Sequence, residues 1–146
     1  MSGEAEHGAI PEIRAILPQR TVDSAPFWDA CNDGKLLLRD CGACGKVSYY
    51  PRATCPHCGG RQLGWRAASG RGVVYSFTQV GVSFYGPEWE SQLPYTVVLV
   101  DLEEGPRMLS RLIGSDQAFA AIGDPVQLEF VAVDGQRLPY FHRVPR

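Results

Sequence analysis

From residue 72 onward the chain alternates between apolar and polar positions. Val73, Tyr75, Phe77 and Gln79 fall on one side of an extended run, and Val74, Ser76, Thr78 and Val80 on the other. That period of two is the mark of a strand. The same reading predicts strands over 73–82, 95–102, 107–113, 126–133 and 138–144. Glu103-Glu104-Gly105-Pro106, Gly123-Asp124-Pro125 and Asp134-Gly135 punctuate them with residues that accept turn geometry. Residues 83–94 read as a long loop, and 115–121 as one or two helical turns between the third and fourth strands. Five strands with an insert at that place predict an OB-fold barrel. A small sandwich is the alternative, because counting strands does not establish closure.

The first half has a different texture. Residues 1–22 show no sustained periodicity and predict an extended tail, although Ile10, Ile13, Ile16 and Leu17 suit docking on a neighbour. Asp23 or Ser24 can cap a short helix with Pro26 in its first turn, where a missing N–H is harmless. Phe27, Trp28 and Cys31 share one face of that helix, and Asn32-Asp33-Gly34 ends it. Cys31 reads as a buried filler, since nothing beside it would lower its pKa. Leu36–Arg39 and Val47–Tyr50 read as two short strands flanking a turn. The expected division is a tail over 1–22, a helix and ribbon over 23–66, and a barrel domain over 67–146.

After each of those short strands the pattern is chemical. Cys41-Gly42-Ala43-Cys44 and Cys55-Pro56-His57-Cys58 are two C-x-x-C pairs, each followed by a glycine (Gly45, Gly59). One tight turn presents two thiolates to one ion, and two such turns close a tetrahedral Cys₄ site. The second pair resembles a rubredoxin knuckle, so zinc is expected and iron is the alternative. Two disulfides or four free thiols would not need this paired spacing. A ribbon of this size is too small to fold on apolar burial alone, and metal binding would supply much of its folding free energy.

Composition changes little: 146 residues, 45% hydrophobic and 21% charged, describe an ordinary globular chain. No run approaches the ~18 apolar residues of a membrane span and no signal peptide is recognisable, so the expected compartment is the cytoplasm. Charge distribution says more. Residues 35–71 carry seven basic side chains against Asp40 alone, while the segments before and after are acidic. The positive charge belongs to the cysteine module. It serves either to offset the metal–thiolate centre and aid solubility, or to form an anion site.

No catalytic constellation emerges. His7, His57 and His142 stand in no nucleophile or general-base pattern, and a closed Cys₄ site leaves no coordination position for water. Tyr49, Tyr50 and Trp65, interleaved with Lys46, Arg52 and Arg66, suit stacking on single-stranded nucleic acid, holding coenzyme A, or filling the junction between ribbon and barrel. The acidic balance of the barrel disfavours nucleic acid. Phe84, Tyr85 and Trp89 on one long loop suit a protein interface.

These features together resemble the acyl-CoA-associated zinc-ribbon/OB-fold family, formerly a domain of unknown function. The resemblance covers residues 21–143. It rests on the helix with Phe27-Trp28, the Cys41…Cys58 ribbon with Tyr50-Pro51-Arg52, the run Gly70–Thr78, and Ile122-Gly123-Asp124-Pro125-Val126. It implies a mainly β chain with a short N-terminal helix, a rubredoxin-like zinc ribbon and a five-stranded OB barrel. Its implied role is that of a non-catalytic auxiliary subunit in lipid, steroid or polyketide-type acyl-CoA metabolism. The partner would be a thiolase-superfamily enzyme (a thiolase or a lipid-transfer-protein-type aldolase), with a hot-dog-fold hydratase as the alternative. Expected ligands are zinc at Cys41, Cys44, Cys55 and Cys58, and coenzyme A or acyl-CoA shared with the partner near Lys46, Tyr50, Arg52 and Arg71. Phe84, Tyr85 and Trp89 would face that partner.

Overall fold

The computed structural model describes residues 17–145. The part of the tail that carries Ile10, Ile13 and Ile16 lies outside them.

Helix α1 spans Ala25–Asn32 and buries Phe27, Trp28, Ala30 and Cys31 on one face. Ser24 occupies the cap position, but its hydroxyl makes no bond to a helix amide. It accepts instead from the Thr21 amide at 2.9 Å, closing the preceding turn. The expected cap residue is thus in place while its hydrogen bond points the other way. Cys31 is fully buried, and burial pushes its thiol up to about 12, which is the inert filler the sequence predicts.

Three strands follow in the order β2-β1-β3: β1 Leu37–Cys41, β2 Val47–Ser48 and β3 Leu63–Ala67. The ribbon therefore has one strand more than the sequence predicts. Strand β3 escapes pattern reading because Leu-Gly-Trp-Arg-Ala is short, contains a glycine and buries none of its residues fully. Backbone pairing holds it, Leu37–Cys41 running antiparallel to Leu63–Ala67. On the ribbon surface the Arg39 guanidinium lies 4.0 Å from the centre of the Trp65 ring, its directly paired neighbour. Strand β2 is shorter than predicted, since Tyr49 and Tyr50 leave the sheet to pack against α1.

The five barrel strands are β4 Arg71–Val80, β5 Tyr95–Leu102, β6 Arg107–Ile113, β7 Pro125–Val133 and β8 Gln136–Arg143. They close in the order β4-β5-β6-β8-β7. Antiparallel neighbours make most of the wall, and a short parallel pairing, Leu112↔Phe141 and Ile113↔His142, joins β6 to β8. This is the OB-fold barrel, and closure removes the sandwich alternative. A 3₁₀ turn at Gln117–Phe119 fills the β6–β7 connection where one or two helical turns were expected. The long loop carries a four-residue helix, α2 Pro87–Glu90, that the sequence reading missed.

Gly72 shows why one landmark needs its residue type. A Cβ there would lie 2.5 Å from Val100 Cγ1 and 2.7 Å from the Asp101 carbonyl oxygen, where β4 crosses β5. Asp124 explains another. Its buried carboxylate accepts from the Ala121 amide at 2.9 Å and from Arg143 Nε at 3.0 Å, tying the start of β7 to the end of β8.

A single apolar cluster runs through the molecule, from Phe27, Leu36 and Leu38 to Val100, Val131 and Phe141 in the barrel. Polar ties reinforce it: the Gln136 side-chain amide donates to the Trp28 carbonyl at 3.2 Å, and the Arg137 amide to Asn32 Oδ1 at 2.9 Å. The helix is thereby fixed to the β7–β8 turn. Among the described residues no helix is long and apolar enough to cross a membrane.

Candidate metal centre and surrounding surfaces

The end of β1 delivers Cys41 to the first knuckle. There the Gly45 amide bonds back to the Cys41 carbonyl at 2.8 Å; at the second knuckle the Gly59 amide does the same to Cys55 at 2.8 Å. Both glycines sit at φ +78°, a conformation that side chains disfavour, so the two turns are near copies. Backbone amides point at sulfur: Cys44 N to Cys41 Sγ, His57 N to Cys55 Sγ and Gly60 N to Cys58 Sγ, each at 3.4 Å.

All four sulfurs lie within 4.8 Å of one another, and the Cys41–Cys58 and Cys44–Cys55 pairs are 3.7 Å apart. A tetrahedron with metal–sulfur bonds of about 2.3 Å has edges of about 3.8 Å, so the thiols fit a four-coordinate ion. No disulfide joins them. The thiols influence one another's ionisation. Amide donation from Cys44 leads the effects that draw Cys41 down to about 7. At Cys44 the Lys46 amide also pulls down, but burial and the adjoining sulfurs outweigh it and push that thiol up to about 11. A divalent cation at the centre would resolve that competition by favouring thiolate at all four positions. Cys41 and Cys55 are buried, while Cys44 and Cys58 reach the surface. His57 is exposed on the second knuckle and is not in the sulfur cluster.

Behind the knuckles lies an aromatic cluster. Phe27 meets Trp28, Tyr49 and Tyr50 edge-on at centroid distances of 4.8, 5.8 and 5.6 Å. Tyr49 is largely enclosed, and burial drives its hydroxyl well above the ordinary phenolic range. Tyr49 and Tyr50 also meet each other edge-on at 5.4 Å, so both rings pack against α1.

The residues expected near coenzyme A do not share one cavity. Lys46 is exposed on the first knuckle. Arg52 lines a cleft of about 300 Å³ with His57, Pro106 and Arg107, between the second knuckle and the β5–β6 turn. Arg71 lies on the barrel, paired with Glu103 at 2.9 Å. Tyr50 lines a third space, an apolar cavity of about 370 Å³ at the seam between β6 and β8.

Of the expected interface residues, Phe84 is 91% and Tyr85 75% exposed. Trp89 is half-buried, 6.4 Å from the Tyr85 ring and 6.0 Å from Tyr95, and turns inward to line the seam cavity. Arg111, Ser110 and Tyr140 line that cavity too. Sequence reading passed over them because alternation on a strand says which face a residue takes, not what lies opposite.

Two family models match the chain: "ChsH2, rubredoxin-like zinc ribbon domain" over residues 28–64 and "ChsH2, C-terminal OB-fold domain" over residues 65–131. A probable enoyl-CoA hydratase alpha subunit of Thermomonospora curvata is 33% identical over 131 residues, 88% of this chain but 40% of that protein. The chain thus spans about two fifths of that relative's length. A DUF35 domain-containing scaffold protein of Methanothermobacter thermautotrophicus is 33% identical over 91 residues, 62% of this chain and 67% of that protein. Among solved structures, a chain of the Ltp2-ChsH2(DUF35) aldolase superposes with a TM-score of 0.76 at 32% identity, over 87% of this chain and 98% of that one. Ribbon, barrel and these likenesses agree: the chain belongs to the ChsH2-type (DUF35) family of zinc-ribbon/OB-fold proteins.

Proposed function

We propose that the chain is an auxiliary, non-catalytic subunit that stabilises a thiolase-superfamily enzyme and helps wall its acyl-CoA channel. The observation that carries this reading is the likeness over 98% of a chain of the Ltp2-ChsH2(DUF35) aldolase, whose name pairs Ltp2 with ChsH2. The exposed Phe84 and Tyr85 supply an aromatic surface of the kind protein partners cover. The metal is zinc. It acts by rigidifying the ribbon, since four thiolates complete its coordination sphere.

In this reading the partner holds the reacting groups and this chain shapes the approach of the nucleotide end of the substrate. Arg52 is the favoured contact for coenzyme A phosphates, because its cleft also holds His57 and, among the described residues, no carboxylate lines it. Arg71 is less available, being committed to Glu103.

The hydratase relative favours a second reading, in which the partner is an enoyl-CoA hydratase. Co-expression with a thiolase-like protein and with a hot-dog-fold hydratase, each followed by size-exclusion chromatography, separates the two. Co-elution with the thiolase-like protein, weakened by Phe84→Ser with Tyr85→Ser, supports the first reading. Co-elution with the hydratase alone transfers the proposal to the second, and co-elution with neither ends both.

A further inference from the structure

Strands β6 and β8 pair in parallel only through Leu112↔Phe141 and Ile113↔His142. Ahead of that point, Met108–Arg111 and Leu138–Tyr140 line the seam cavity, with Ser110 Oγ donating to the Pro139 carbonyl at 2.7 Å. Trp28 of α1, Tyr49 and Tyr50 of the ribbon, and Trp89 of α2 complete its walls beside Leu17 and Pro18. Its volume, about 370 Å³, is in the range of small-molecule pockets, which run to roughly 300–1,000 Å³.

Arg111 is the one charged side chain among the described residues that line it. Its guanidinium donates to Gln92 Oε1 at 2.6 Å and lies 4.5 Å from the centre of the Tyr95 ring. Burial holds its pKa below the usual arginine range, with the Tyr140 hydroxyl, which is also its hydrogen-bond partner, and then the Tyr95 hydroxyl working in the opposite direction. An amide oxygen, a phenol hydroxyl and an aromatic face stabilise a cation without neutralising it. Arg20, Arg66, Arg71, Arg107 and Arg143 each meet a carboxylate, and among the described residues Arg111 meets none. A largely buried cation facing apolar walls is costly unless an anion joins it. The combination calls for one anionic end on a hydrocarbon body. A dianionic phosphate would want a second cation, and a fully apolar guest would leave the guanidinium unanswered.

We propose that the seam cavity binds an apolar carboxylic acid, its carboxylate held by Arg111 and Tyr140 and its hydrocarbon laid between Trp28, Trp89, Met108 and Leu138. The fork of the guanidinium matches a carboxylate in plane, and Tyr140, which Arg111 already faces, adds a hydroxyl donor. This site belongs to the chain alone and needs no partner enzyme, so its test is independent of the complex.

The full-length, metal-loaded chain is titrated calorimetrically with octanoate and, separately, with 1-octanol, which has the same chain length and no charge. Trp28 and Trp89 fluorescence gives a second readout. Saturable one-to-one binding of octanoate at least tenfold tighter than octanol is expected. Arg111→Met should lose at least tenfold for octanoate and nothing for octanol, and Tyr140→Phe should lose severalfold. Should Arg111→Met fail to fold, the preference of the unaltered protein for octanoate and the Tyr140→Phe loss decide alone. No saturable binding to the unaltered protein, as when residues 1–16 or another protein segment occupies the cavity, overturns the proposal. Equal binding of acid and alcohol, or octanoate binding indifferent to both substitutions, overturns it as well.

Discussion

The Trp28 indole donates its N–H to the Tyr50 hydroxyl across 3.0 Å, joining α1 to a residue two positions beyond the second ribbon strand. Twenty-two positions separate the two in the chain, and the ring of Phe27 packs edge-on against both. This bond turns an apolar contact into one orientation, because an enclosed indole N–H without an acceptor is expensive.

Removing the acceptor measures it. Tyr50→Phe keeps the ring and should destabilise the protein by about 1–3 kcal/mol, the cost of an unsatisfied enclosed donor. Denaturant unfolding followed by Trp fluorescence reads the change, and an unaltered midpoint would show that water replaces the hydroxyl.

Metal removal should act on the ribbon before the barrel wall. A structural zinc site supplies roughly 10–16 kcal/mol of apparent folding free energy. Chelation, or Cys58→Ser, should therefore abolish hydrogen-exchange protection in Leu37–Cys41 and Leu63–Ala67 while strands β5 and β6 keep most of theirs. Metal analysis should find one zinc per chain, colourless in solution. Full ribbon protection in metal-free protein would contradict the structural role.

Gly72 and Gly81 differ by what surrounds them. Gly72→Ala drives a methyl into Val100 and the Asp101 backbone and should cost about 1–3 kcal/mol or more. Gly81→Ala meets no atom within 4 Å and should be neutral or stabilise by about 0.4–1 kcal/mol through the unfolded chain. Thermal unfolding of the two variants gives opposite signs.

The Arg71–Glu103 pair predicts a pH effect. Hydrogen bonding from Arg71 holds the Glu103 carboxyl below its ordinary value of 4.5. A lowered carboxyl pKa contributes stability above the unfolded value and loses it as pH falls through the folded one. The melting temperature of the unaltered protein should thus exceed that of Glu103→Gln slightly at neutral pH, and the gap should close in acid below 4.5. Both side chains are exposed, so high salt should shrink it too.

Phe84→Ser with Tyr85→Ser should leave the melting temperature of the isolated chain within about 1 °C, since exposed side chains contribute little to folding. The same pair should weaken a partner complex at least tenfold in a binding titration. A large loss of stability would instead assign these rings to the chain's own packing.

The four-sulfur cluster was legible in the sequence, because a C-x-x-C turn carries its geometry locally: four residues and a glycine determine where two sulfurs point. The barrel strands were legible from local pattern too, the Val/Leu/Thr-rich run Tyr95–Leu102 and the alternation on Arg107–Ile113 matching the observed spans. Strand β3 was not, since backbone pairing with β1 holds it and its five residues are too few and too exposed to mark a buried face. Nor was the direction of the Ser24 hydroxyl, which two competing local partners decide.

By itself the sequence determined the ligand set, the strand count of the barrel and the burial of Phe27, Trp28 and Cys31, all properties of short segments read one at a time. The fold alone decided that Arg52 and Arg71 line different cavities and that Arg111 shares one with Trp28 and Trp89. Those relations depend on how a closed sheet brings distant strands together. Closure is a long-range property that no local period encodes.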